Sequence, residues 1–146
     1  SSILTVRITD MATAITTEAE QRVEYCRQVG YTVYEQFRLK SGSNKGHRRI
    51  WIEGARLLRT GLVRGTKLSR RTDQWGTYLM VDPDKSLNHM SGRHTVAGTD
   101  TRPIIDLCGK WVTEFVGSAT HVDIIIHDRA GEKSISIYPV TEGGAK

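Results

Sequence analysis

An internal repeat constrains the fold of this 146-residue chain more than any other feature of its sequence. Residues 50–54 (IWIEG) match residues 105–109 (IDLCG) at a shift of 55, and residues 66–68 (TKL) match residues 120–122 (THV) at a shift of 54. In each copy a strand pattern, a short helical pattern and a Gly-containing hairpin follow one another, and a proline closes the copy. Because a repeat unit seldom buries its apolar face alone, we expect two such units to pack together.

The predicted fold is therefore mainly β, in the α+β class. We expect a pseudo-two-fold β-barrel built from two strand–short helix–hairpin repeats, preceded by a strand over residues 3–8 and a helix over residues 17–28. The predicted organisation is an N-terminal extension (1–30), a basic first repeat (31–83), a long connecting loop (84–102), a second repeat (103–140) and a tail or linker (141–146).

The segment from Gly46 to Arg71 combines nine apolar side chains with eight Lys/Arg and a single acid. The alternation of its strands and the spacing of its helical turn separate these residues into two sets. We expect the inward set to be Ile50, Ile52, Leu57, Leu62 and Leu68. We expect the outward set to be Arg48, Arg49, Arg56, Arg59, Arg64 and Lys67.

The positive charge of the chain lies in one block. Residues 31–71 hold eleven Lys/Arg and two acids, a net of +9, whereas the whole chain carries only +5. A local excess of this kind favours a polyanionic partner, for which nucleic acid is the usual candidate. The alternative interpretation is a basic face that is merely solvated.

The basic segment resembles the swapped-hairpin DNA-binding fold of AbrB-type transition-state regulators. The matching residues are the run 48–71 (RRIWIEGARLLRTGLVRGTKLSRR) and, after a turn, residues 76–82 (GTYLMVD). The second half, from IIDLCGKWVTEFVGSATHVDIII, is similar to the single unit of SymE-like proteins, which share that fold. This resemblance covers residues 31–140 and implies a swapped-hairpin barrel that binds nucleic acid.

A closer resemblance is to the segment that precedes the catalytic domain in some bacterial DNA cytosine-5 methyltransferases. The matching pieces are residues 44–49 (NKGHRR), 52–54 (IEG) and 91–93 (SGR). Neither Cys26 nor Cys108 follows a proline, so the Pro-Cys nucleophile motif of those enzymes is absent, as is a Gly-rich cofactor loop. The resemblance therefore implies a non-catalytic module, not an enzyme. We expect no cofactor, and we expect no metal site because the histidines and cysteines lack zinc-ligand spacing.

In a swapped-hairpin barrel the loop between the first two strands reaches the DNA, and here that loop would be residues 41–49. Its Lys and Arg side chains suit phosphates, and an arginine can also bind guanine in the major groove. The predicted nucleic-acid-binding residues are Asn44, Lys45, His47, Arg48, Arg49, Arg56, Arg59, Arg64, Lys67, Arg70, Arg71 and Arg93.

Two alternatives remain open at this stage. The near-neutral second half suits a protein-interaction module, either antitoxin-like or an assembly subunit. The similarity to SymE suits an RNA-binding, toxin-like protein. We expect a cytoplasmic protein without a membrane partner, acting as a monomeric pseudo-dimer or a homodimer. A protein partner or a C-terminal catalytic domain is also compatible with the sequence.

Overall fold

In the computed structural model of the chain, residues 17–140 are described. The predicted strand at residues 3–8 and the tail at residues 141–146 lie outside them. The helices are α1 (Glu18–Gln28), α2 (Ala55–Arg59) and α3 (Lys110–Val116). The strands are β1 (Thr32–Lys40), β2 (Gly42–Asn44), β3 (His47–Glu53), β4 (Lys67–Thr72), β5 (Thr77–Val81), β6 (Gly92–Thr95), β7 (Ala97–Gly98), β8 (Pro103–Cys108), β9 (His121–Arg129) and β10 (Glu132–Val140).

The strands form two open antiparallel sheets, which confirms the prediction of a mainly β chain. A six-stranded sheet has the order β1-β9-β10-β5-β4-β6, and a four-stranded sheet has the order β2-β3-β8-β7. The hydrophobic core lies between them, because buried side chains from both sheets and from α2 and α3 belong to one cluster. The five residues predicted to face inward, Ile50, Ile52, Leu57, Leu62 and Leu68, are all buried in this cluster.

Helix α1 covers part of the outer face of the six-stranded sheet. It begins with a capping box, in which the Thr17 hydroxyl accepts from the Glu20 backbone N–H and the Glu20 carboxylate accepts from the Thr17 N–H. Such a cap satisfies two backbone donors that a helix start leaves unpaired. The helix packs against β1 and buries Ala19 and Cys26. The predicted helix at residues 17–28 is confirmed.

The predicted protruding loop at residues 41–49 is wrong. Gly42–Asn44 and His47–Arg49 pair as antiparallel strands, and the connection between them is only Lys45–Gly46. Both connecting residues have positive φ, 52° and 86°, as the tightest two-residue hairpin turns require. Arg48 and Arg49 therefore lie in a strand and not in a flexible loop.

The predicted absence of regular structure over residues 84–102 is wrong for residues 92–98, which form β6 and β7. Strand β6 (GRHT) has no apolar residue, so it shows no apolar alternation in the sequence. Its pairing with β4, from Lys67↔Thr95 to Arg70↔Gly92, supplies the hydrogen bonds that hold it in the sheet. Strand β7 has only two residues and pairs with β8.

Candidate nucleic-acid interface

The β2–β3 hairpin presents the first group of predicted binding residues. Lys45 and His47 are exposed at its turn, and Asn44 is partly exposed beside them. The imidazole Nδ1 of His47 lies 3.3 Å from the hydroxyl of Thr113 on α3. The tip of the hairpin is thus attached to α3 and does not project freely.

Arg48 is bound within the protein. Its guanidinium donates to the backbone oxygens of Gly117 and Ala119, both at 2.8 Å, and to the hydroxyl of Ser41. Its backbone N–H donates to Thr113 at 2.9 Å. Arg48 therefore fastens β3 to the segment that follows α3, which is a structural role.

Arg49 crosses from β3 to β8 and makes a bidentate ion pair with Asp106, with N···O distances of 2.9 and 3.0 Å. The hydrogen bond with this carboxylate raises the pKa of Arg49. The guanidinium also lies over the Trp51 ring, 4.2 Å from its centroid. Its charge is already balanced inside the protein.

Three other predicted residues surround α2 and the loop after it. Arg59 pairs with Glu35 at 3.2 Å and Arg64 with Asp100 at 2.9 Å. Exposed pairs of this kind contribute about 0–1 kcal/mol to stability, and each of these two guanidinium groups already has a carboxylate partner. Arg56 lies over the Phe37 ring at 4.1 Å from its centroid and covers one end of the core.

Lys67, Arg71 and Arg93 share one exposed surface, which we call the β4–β6 face. Ser69 and Arg93 are directly opposite each other in the pairing of β4 with β6, and Lys67 and Arg71 lie two residues to either side of Ser69. Alternate residues of a strand point to the same side, so the three cations project from the outer face of the sheet. All three are exposed.

These three cations have only neutral partners. Lys67 lies 3.4 Å from the Thr95 hydroxyl, and Arg93 donates to the backbone oxygens of Lys85 and Leu87 at 3.4 and 3.0 Å. Arg71 lies over the Tyr78 ring, 5.2 Å from its centroid. Within residues 17–140 no ion pair joins any of the three to a carboxylate, so their charge remains available to an external anion.

A buried carboxylate organises the loop beside this face. Burial alone would raise the pKa of Asp82, but hydrogen bonds from the hydroxyls of Ser69 and Ser86 and from the backbone N–H groups of Ser86 and Leu87 lower it to about 2. These bonds fix the start of the loop. The loop then offers its carbonyl oxygens to Arg93.

A groove of about 540 Å³ separates the β4–β6 face from α1. Its lining includes Tyr78, Tyr138, Arg22 and Arg71, and the Arg22 guanidinium lies 4.0 Å from the centroid of Tyr138. Burial raises the pKa of Tyr78 to about 12. Sequence reasoning missed Arg22 and both tyrosines as site residues, although the strand assignment already placed Tyr78 and Arg71 on adjacent strands of one hairpin.

Arg70 is the predicted residue that points the other way. It lies on the same, core-facing side of β4 as Leu68, and only 8% of its surface is exposed. Of the twelve predicted residues, the structure therefore brings together three on the β4–β6 face and three at the β2–β3 turn. It places the remaining six in separate surroundings.

Compared with protein-family models, curated proteins and solved structures, the chain matches none of them. Among residues 17–140, no helix has the length and apolar character needed to cross a membrane. Within the same residues, no three His, Cys, Asp or Glu side chains are grouped so that they would hold a metal ion.

Proposed function

We propose that this chain is a non-catalytic nucleic-acid-binding module that contacts duplex DNA through the β4–β6 face. The observation that carries the proposal is that Lys67, Arg71 and Arg93 share one exposed face and, within residues 17–140, have no carboxylate partner. The module acts as a regulator or as the accessory domain of a DNA-modifying enzyme. A cytoplasmic location belongs to the same proposal.

The physical basis of binding is the release of counterions from DNA. Each phosphate that a Lys or Arg neutralises steepens the dependence of log Kobs on log salt by about 0.9. Strands β4 and β5 are flanked by β6 and β10, so we expect the cations to reach phosphates from the flat outer side of the sheet. The exposed Trp75 lies in the turn that joins β4 to β5, next to this side.

The proposal includes a pseudo-two-fold, swapped-hairpin-like barrel. The pairing of β3 with β8 supports it. At a shift of 55, Ile50 corresponds to Ile105 and Ile52 corresponds to Leu107, so the pair Ile50↔Leu107 corresponds to the pair Ile52↔Ile105. The pairing of β5 with β10 supports it in the same way at a shift of 56, about the pair Leu79↔Ile135.

The outer strands support the same arrangement. Strand β1 pairs with β9, and β6 pairs with β4, so the first strand of each proposed repeat pairs with the hairpin of the other. In this proposed arrangement the second repeat would begin at β6, whereas the sequence pattern predicted residue 103. If the β4–β5 hairpin is equivalent to the β9–β10 hairpin, their registers make Leu68 equivalent to Ile124, whereas the sequence repeat matched Leu68 with Val122.

A salt series tests the function. We expect wild-type protein to bind duplex DNA at low salt with a slope of log Kobs against log salt that the triple variant K67Q/R71Q/R93Q makes shallower by about two to three. The matched control is R59Q/R64Q/R102Q, which removes three charges that already have acidic partners. The control should retain most of the slope.

Two outcomes reject the assignment to the β4–β6 face. One is a binding constant that does not respond to salt, and the other is an equal loss in the triple variant and its control. Competition with single-stranded and duplex RNA separates DNA from RNA as the preferred ligand. A protein partner that co-purifies while nucleic-acid affinity is absent would favour the protein-interaction alternative.

A further inference from the structure

The surroundings of Arg70 are those of a built binding site. Its Nε donates to Nε2 of His94 at 3.0 Å, and its two terminal nitrogens donate to the Thr72 hydroxyl at 3.2 Å and to the Ser91 backbone oxygen at 3.4 Å. The guanidinium lies flat against Trp111, 3.6 Å from the ring centroid. A guanidinium has five N–H donors, so two of them are not used by these bonds.

This cation is buried without an anion. Within residues 17–140, no ion pair joins Arg70 to a carboxylate, and its hydrogen-bond acceptors are all neutral. Burial lowers the pKa of Arg70, but an arginine remains protonated in proteins. Burying an unpaired charge is costly, and the stacking on Trp111 offsets only part of that cost.

A glycine on the neighbouring strand makes room for the guanidinium. Gly92 lies directly opposite Arg70 in the pairing of β4 with β6. A Cβ atom at this position would lie 2.6 Å from Nη2 of Arg70. Any side chain at position 92 would therefore displace the guanidinium, so the local sequence is adapted to hold Arg70 in place.

Arg70 also borders a cavity of about 520 Å³. The polar side chains of Gln74 and Ser91 and the aromatic rings of Trp111 and Phe115 line the same space. The amide of Gln74 and the hydroxyl of Ser91 are further hydrogen-bond donors. A charged donor, two neutral donors and an apolar wall are the components expected of a small-ligand site.

The corresponding positions at the other end of the core are filled differently. In the proposed pseudo-two-fold arrangement, the strand registers make Ile126 the equivalent of Arg70, and Phe37 the equivalent of His94. The two short helices begin alike, because the backbone oxygens of Gly54 and Gly109 each accept from the N–H groups three and four residues later. This match makes Arg56 the equivalent of Trp111. Apolar residues thus occupy one end where the other end holds a buried cation.

We propose that the cavity beside Arg70 binds an oxyanion group of a small ligand, either a phosphoryl or a carboxylate group. The guanidinium supplies the positive charge and a planar pair of donors, and Gln74 and Ser91 add neutral donors. This site is separate from the β4–β6 face and does not depend on DNA binding, since Arg70 and the three cations of that face lie on opposite sides of the sheet.

Two acids, Asp73 and Glu114, line the cavity, and one of them allows a test of the sign of the ligand's charge. The Asp73 carboxylate is engaged by the backbone N–H groups of Trp75 and Gly76 at 2.8 and 3.0 Å, within its own turn. Glu114 is exposed on α3. Its negative charge opposes an oxyanion, so the variant E114Q should bind an oxyanion more tightly, whereas it would weaken the binding of a cation.

The test is an NMR titration of the full chain with sodium phosphate and, separately, with sodium acetate, at ionic strength held constant by chloride. The resonances of the Arg70 Nε–H and the Trp111 indole N–H report directly on the site. Wild type should give a saturable shift with at least one of the two anions. The one that binds more tightly identifies the oxyanion, and a nucleoside monophosphate and a small organic acid then test it within a larger ligand.

Three variants complete the experiment. R70M should weaken binding by roughly tenfold or more, because it removes the charge and the donors. E114Q should strengthen it by roughly threefold. R93Q removes one positive charge from the opposite side of the sheet and should leave it unchanged.

The proposal fails if neither anion gives a saturable shift, or if R93Q weakens binding as much as R70M does. It also fails if E114Q weakens binding. If R70M does not fold, E114Q and Q74A decide the matter, since both side chains are exposed and neither makes a hydrogen bond to the core. Loss of DNA binding in K67Q/R71Q/R93Q with phosphate binding intact distinguishes this site from the proposed DNA interface.

Discussion

The two ends of the core differ in a way that separates folding from function. The α2 end contains Phe37 and Ile126 beneath Arg56, whose guanidinium lies on the outside, over the phenyl ring. The α3 end contains His94 and Arg70 beneath Trp111, so the cation lies inside and the aromatic ring covers it. In the proposed pseudo-two-fold arrangement, the same backbone geometry therefore accepts either an apolar or a polar filling.

This difference shows that the fold does not require the polar filling. An isoleucine and a phenylalanine complete the core at the α2 end, and replacing buried ionic groups by apolar ones is often neutral or stabilising. The presence of Arg70, opposite a glycine that leaves room for it, is therefore better explained by the ligand binding proposed above than by stability.

The sharpest way to break the comparison is to place an arginine at the α2 end. At the α3 end a histidine acceptor, a glycine and a covering indole accommodate the cation, whereas I126R would bury one beside Phe37 and below Arg56, opposite Glu35, whose carboxylate already pairs with Arg59. We expect a loss of about 4 kcal/mol or more in the free energy of unfolding, measured by urea denaturation. I126M is the volume-matched control and should cost less than about 1.5 kcal/mol. A small loss in I126R would mean that this fold tolerates buried cations generally.

Making the α3 end resemble the α2 end should have the opposite sign. The double variant R70I/H94F replaces the polar pair with the residues at the corresponding positions. We expect it to gain about 1–3 kcal/mol in stability and to lose the oxyanion-dependent NMR shift. A destabilised double variant would show instead that Arg70 contributes to the fold.

The space opposite Arg70 provides an intermediate effect. G92A adds a Cβ atom 2.6 Å from Nη2 of Arg70 and should cost about 1–2 kcal/mol by displacing the guanidinium. In the R70I background the same change should cost much less, so a double-mutant cycle should give a clear coupling energy. Equal costs in both backgrounds would mean that Gly92 is required by the backbone alone.

The smallest expected effect concerns pH. Burial, with a further contribution from Arg70, lowers the pKa of His94 below its ordinary 6.5, so the folded state binds fewer protons than the unfolded state. His94 therefore does not reduce the free energy of unfolding above about pH 6.5, but it lowers this free energy as the pH drops below that value. H94F should flatten the fall between pH 6.5 and 5 in thermal melts, whereas F37L at the other end should leave the slope unchanged. Burial also lowers the pKa of His127, which supplies a common background in all these variants.

The strongly periodic elements could be predicted from the sequence. The buried alternation of Ile50 and Ile52 and the capped helix α1 are local patterns, and both are confirmed. Strand β6 could not be predicted in this way, because it is an edge strand without apolar residues and it is held in the sheet by pairing with β4. The β2–β3 hairpin was missed because its Gly, Ser and Asn residues have the composition of a loop.

The candidate site was only partly predictable. The charge block directed attention to β4, where Lys67 and Arg71 lie on an exposed face. The same alternation that buries Leu68 also turns Arg70 toward the core, but its charge led us to predict that it binds nucleic acid. The odd or even position of a residue along a strand is therefore a better guide than its type to the side on which its side chain lies. The neighbours of a buried cation, in contrast, cannot be read from the adjacent sequence.

The sequence by itself determined the strongly periodic elements and the inward apolar set of this protein, because both follow from the helical and strand periods of neighbouring residues. Only the tertiary structure decided which cations are free. Arg49 meets Asp106 from 57 positions away, and Arg48 meets carbonyl groups 69 and 71 positions away, so their charge and donors are used internally. Within residues 17–140, Lys67, Arg71 and Arg93 meet no carboxylate, and Arg70 is enclosed by groups from two other elements. Neutralisation depends on contacts between distant segments, and the local sequence pattern carries no record of them.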